Sequence, residues 1–184
     1  MKKLLALLFL SIPCFAGLSQ IPGTNPAPTP AYIGYAFPAN TAFVVAVSSD
    51  ILINTFTLNG PVTVNGIRYS IGTIAANTRL DFGIYNATGS LITNQGVTTA
   101  PGTTGVQTST VTAVSLSPGI YEIAVQISNA SLQIAGVQGA GTGTNPFCNK
   151  NTATTMGLPS TITIPGTAGT RCPMLLGMVV NGAP

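Results

Sequence analysis

Residues 79–92 read RLDFGIYNATGSLI. Leu80, Phe82 and Ile84 alternate with Arg79, Asp81, Gly83 and Tyr85, the period of a strand that turns one face to a core. Asn86-Ala87-Thr88-Gly89 supplies turn chemistry, and Leu91-Ile92 begins a return strand. The same alternation recurs over 120–128, where Tyr121, Ile123, Val125 and Ile127 interleave with Glu122, Ala124, Gln126 and Ser128. Ser117-Pro118-Gly119 leads into that run as a tight turn, with Pro and Gly placed for type II geometry.

Working outward, further strand signals fill the chain. Phe43 to Val47 is an apolar run suited to a buried strand, and Leu52, Phe56 and Leu58 mark another, stopped by Asn59-Gly60-Pro61. Ile67, Tyr69 and Ile71 follow Asn65-Gly66, a hairpin signal. Thr108 to Leu116 has the threonine and valine content of a strand. Ile162 and Ile164 alternate near the end, and Leu175 to Val180 closes the chain. Gly136 to Asn145 reads as a Gly/Thr-rich loop. No stretch beyond Tyr32 sustains a helical period. Eight or more short strands with regular turns predict an all-β fold: a single antiparallel β-sandwich, jelly-roll-like, over residues 31–184.

The two segments before it have other compositions. Residues 1–16 read as a secretory signal peptide: Lys2 and Lys3, an apolar run from Leu4 to Ile12, then Cys14-Phe15-Ala16 as a small-residue cleavage site. Residues 17–30 form a Pro-rich arm or linker, because Pro22, Pro26, Pro28 and Pro30 favour extended backbone and exclude a helix. The arm is expected to leave its own sandwich and reach a neighbour. Export leaves two cysteines, Cys148 and Cys172, an even pair that predicts a disulfide worth about 3 kcal/mol.

Charge bounds the chemistry. The chain is 5% charged and has no histidine, against about a quarter charged in a typical domain. Beyond the signal only Arg68, Arg79, Lys150 and Arg171 are basic, and Asp50, Asp81 and Glu122 acidic. That balance points to no nucleic acid partner, no cofactor and no metal. No later apolar run is long enough for a membrane span. Asp81 and Glu122 are the only pair to weigh as glycosidase carboxylates. Both fall on outward-facing strand positions, where pairing with Arg79, Arg68 or solvent is expected. With no histidine, stability is expected to change little between pH 5 and 8. Asp81-Phe82-Gly83 spells a kinase triplet inside a strand, with no His-Arg-Asp anywhere. Leu158-Pro159-Ser160-Thr161 departs from a cell-wall sorting signal, with Ile162 in place of glycine.

Residues 64–128 also carry a pattern: VNGIRYSIGTIAANTRLDFGIYNATGSLI, a Thr/Gly-rich stretch, then VSLSPGIYEIAVQIS. This layout, with a Gly-Ile-Tyr strand end and a Leu-x-Pro-Gly-x-Tyr strand start, resembles β-sandwich modules of phage tail and other virion proteins and of exported bacterial surface proteins. The resemblance spans about a third of the chain. It implies a structural or binding part with no catalytic residues to carry over. Many such modules have a tryptophan near the Pro-Gly strand; this chain has none, which weighs against an aromatic sugar platform.

The expected function is a secreted or cell-surface, non-enzymatic β-sandwich acting as a structural or adhesive subunit. Its partners would be itself or a surface glycan or protein. Tyr32, Tyr35 and Phe37 cluster after the arm as a candidate ligand or subunit contact. A carbohydrate-binding module and a phage virion protein are the alternatives. An exposed aromatic row favours the carbohydrate module; a long unpaired edge strand favours assembly.

Overall fold

The computed structural model describes residues 31–34, 43–45, 50–135, 137–138, 148–165, 167–168, 171–172 and 177–181. The predicted signal peptide (1–16) and arm (17–30) lie outside the described residues. All regular structure among the described residues is β. In chain order the strands are β1 (Ala31–Gly34), β2 (Phe43–Val45), β3 (Asp50–Leu58), β4 (Val62–Thr73) and β5 (Arg79–Asn86). There follow β6 (Leu91–Asn94), β7 (Thr98–Thr99), β8 (Gly105–Leu116), β9 (Gly119–Ile127) and β10 (Gln133–Ala135). The last are β11 (Val137–Gln138), β12 (Cys148–Thr152), β13 (Thr167–Ala168), β14 (Arg171–Cys172) and β15 (Gly177–Asn181).

Two antiparallel sheets pack face to face. The first runs β13-β12-β3-β9-β5-β6, with β7 also on β5. In the second, β4 is central: β8 lies along one side, β15 and β10 along the other, with β1 beyond β15 and β2 beyond β10. β11 and β14 make a separate pair. From β2 to β10 the chain changes sheet at β2–β3, β3–β4, β4–β5, β7–β8, β8–β9 and β9–β10.

The alternation read in 79–92 drives this packing. Leu80, Phe82 and Ile84 point into the core and are fully buried, as are Ile123, Val125 and Ile127 of the neighbouring β9. Ile67, Tyr69 and Ile71 of β4 meet them from the opposite sheet. The rings of Tyr69 and Phe82 tie the two sheets together at a centroid distance of 4.3 Å. The β5–β6 turn forms as read: Asn86 Oδ1 accepts from the Thr88 and Ser90 amides at 3.0 and 2.9 Å, and Gly89 takes φ +82°.

Four local expectations are corrected. Asn65-Gly66 is no hairpin; it sits inside β4, where the ladders to β8 and β15 both shift register, so the glycine marks a bulge. Gly119 is not among the positive-φ residues, as type II would require, and instead pairs with Leu58 as the first residue of β9. Ile162 and Ile164 lie in no strand: residues 153–165 form an irregular strap with one isolated bridge, Ser90 to Thr161. Asp81 and Glu122 do face away from the main core, yet they are only 1% and 2% exposed: the strap meets Asp81 through the Leu158 amide, and the Thr55 hydroxyl meets Glu122.

Candidate functional site

The strapped face of the first sheet buries Asp81 and Gln126. Leu158 and Ile162 of the strap pack on Ile51, Ile53, Tyr85 and Ala124, a second apolar layer outside the main core. A segment without strand pairing must satisfy its main-chain groups elsewhere. Here sheet side chains do so. Asp81 Oδ2 accepts from the Leu158 amide at 2.8 Å. Gln126 accepts from the Gly157 amide at 2.7 Å and donates to the Thr155 carbonyl at 2.9 Å. Tyr85 donates to the Pro159 carbonyl at 2.8 Å. Gly83 makes room: a Cβ there would lie 2.7 Å from the Leu158 side chain.

Burial sets the electrostatics of this face. It pushes the Asp81 carboxyl above the usual carboxylate range, against hydrogen bonds from Leu158 and Asn94 and weaker approach of the Gly96 and Phe82 amides. Oδ1 of Asp81 has no partner within hydrogen-bond geometry. Burial likewise raises Glu122, opposed by the Thr55 hydroxyl that donates to Oε2 at 2.7 Å. Burial, then the charge of Asp81, raises the Tyr85 phenol and keeps it a donor.

The sign of the pH dependence follows. A carboxyl with a raised folded pKa keeps its proton after the unfolded chain has released it. The folded state then binds more protons, so stability falls as pH rises. The window opens near the unfolded value of about 4 and closes at each folded pKa. The insensitivity expected from composition holds for solvated carboxylates, and these two are buried. Melting temperature is expected to be higher near pH 4 than near neutrality. Asp81→Asn, which keeps an acceptor for Leu158, should flatten the slope. A melting temperature that rises with pH across this window would contradict the assignment.

The two carboxylates are not brought together. Asp81 pairs with Gln126 and Tyr85 with Glu122, which separates the carboxylates by about 13 Å along the strands. Glycosidase pairs stand roughly 5–9.5 Å apart. No group of three or more His, Cys, Asp or Glu placed to hold a metal ion occurs among the described residues. No helix among them is long and apolar enough to cross a membrane.

The open side of the sandwich is the second feature. β8 is 12 residues long and pairs with β4 from Leu116↔Val62 to Gly105↔Ile71. It has no second strand partner among the described residues. Its C-terminal half approaches β6, the last strand of the other sheet, and Thr93 Oγ1 donates to the Thr112 carbonyl at 3.0 Å. A groove of about 330 Å³ lies there, lined by Ile92, Thr93, Asn94, Thr112, Ala113 and Val114. Beyond it, Gly105–Thr110 has no partner on its outer edge among the described residues, and Val106 is 46% exposed. β8 contains no charged residue and no proline, the usual guards of an edge strand. The sequence signal was the uncharged Thr/Val run itself; that it would lie at an edge was not legible.

The other candidate residues are placed in part. Tyr32 lies in β1 opposite Val179; its side chain, and all of Tyr35 and Phe37, lie outside the described residues. Cys148 opens β12 opposite Asn54, and Cys172 ends β14 opposite Val137; their side chains also lie outside the description. Comparison with protein-family models, curated proteins and solved structures returns no match.

Proposed function

We propose that this chain is a secreted, non-enzymatic β-sandwich that serves as a structural or adhesive surface subunit and assembles through β8. The carrying observation is that strand: a long, uncharged edge with no second strand partner among the described residues. Such an edge is a template for another strand. A surface almost without charge favours close packing of copies, since low net charge promotes association. The resemblance of residues 64–128 to exported surface and virion modules agrees with this reading. Among the described residues the aromatic side chains offer no sugar platform, since Tyr69, Phe82, Tyr85 and Tyr121 are buried and Phe56 is partly buried. The exported state includes a Cys148–Cys172 disulfide.

Sedimentation velocity over a concentration series of protein from an oxidising compartment tests this reading. Concentration-dependent oligomers are expected, together with a mass gain of about 2 Da on reduction. A monomer at every concentration would remove the assembly function; an unchanged mass would remove the disulfide.

A further inference from the structure

We infer that the open edge of β8 at Gly105–Thr110 receives residues 25–30 of a second copy of this chain as an added strand. The inference rests on assembly through β8 and names the segment that docks there. Residues 25–30 read Asn-Pro-Ala-Pro-Thr-Pro. In an extended strand, successive residues direct their N–H and C=O groups to opposite edges. Prolines at 26, 28 and 30 therefore remove every donor from one edge, while Asn25, Ala27 and Thr29 keep theirs on the other. Such a segment pairs along one side only. It can cover β8 and then present a proline edge on which no further strand adds. Its restricted backbone also loses little entropy on docking.

Geometry decides between self and neighbour. Pro30 adjoins Ala31, the first residue of β1, and the sheet order from there is β1-β15-β4-β8. β8 is thus three strand spacings from β1, about 14 Å. Thr29 is two residues before β1 and reaches at most about 7 Å. A strand added to β8 that includes Thr29 must therefore come from another copy. Donor and acceptor occupy opposite edges of one sheet, so the contact is head-to-tail. Repetition then extends one sheet into the next as a chain of subunits.

Two full-length variants test this. A27P places a proline on the pairing edge; P28A restores a donor on the far edge and leaves the pairing edge intact. The readouts are sedimentation velocity and amide hydrogen exchange at Gly105–Thr110. Wild type and P28A are expected to assemble, with exchange of alternate amides in that stretch slowed at least about tenfold. A27P should melt as wild type does but remain monomeric, with fast exchange. An A27P protein that assembles normally would overturn the inference while leaving assembly through β8 standing. Assembled wild type without protection at Gly105–Thr110 would overturn it too. A wild type that never assembles would instead overturn the proposed function, and this inference with it.

Discussion

Gly89→Ala is expected to cost about 3–5 kcal/mol, through forced backbone strain and a lost hydrogen bond. Gly89 closes the β5–β6 turn at φ +82°, a conformation that residues with a Cβ rarely adopt. A Cβ there would sit 2.0 Å from the Ile162 carbonyl oxygen, which is main chain and cannot rotate away. The Ile162 amide donates to the Gly89 carbonyl at 2.8 Å, and the Leu91 amide donates to the Ser160 carbonyl at 2.9 Å. The turn is thus the clasp of the strap. Its opening would uncover the apolar layer of Ile51, Ile53 and Tyr85. A lower denaturation midpoint, with new protease cuts within 153–165, is the expected result. Gly83→Ala should cost less, since its Cβ meets the end of a flexible Leu158 side chain. A Gly89→Ala protein with an unchanged midpoint and an intact strap would show that the clasp carries no stability.

Phe82→Ala should cost a similar amount, about 3–5 kcal/mol, by a different route. Phe82 is fully buried at the centre of the main core, and its ring meets Tyr69 from the opposite sheet. Truncation leaves a cavity between two ladders whose backbones cannot close on it. For a domain of this size, melting should fall by roughly 10 °C. Ile120→Ala is the control: Ile120 is 51% exposed, and its loss should change stability by no more than about 0.5 kcal/mol. Equal effects at the two positions would mean that the sheets do not pack through Phe82.

The two sheets meet their surroundings differently. The first is shielded on both faces, by the main core on one side and the strap on the other. In the second, β8 has no second strand partner among the described residues. Asp81, Gln126 and Tyr85 all hydrogen-bond the main chain of 155–159.

By itself the sequence determined the fold class and several strands. Period-2 alternation is local, so Arg79–Asn86 and Gly119–Ile127 were legible with their core-facing sides, and so was the Asn86–Gly89 turn. It also determined how little titratable chemistry the chain holds. Tertiary structure alone decided what covers the second face. Asp81 and Glu122 alternate as solvent-facing residues would, yet both are buried; over Asp81 the cover is a strap more than seventy residues away in sequence, with the Leu158 amide on its carboxylate. Asn65-Gly66 carries the chemistry of a tight turn, yet two ladders hold it as a bulge within one strand. The edge position of β8 was likewise invisible, because an edge is defined by which strand is missing beside it. Local pattern tells which way a side chain points from its own strand; what it meets there depends on residues far along the chain.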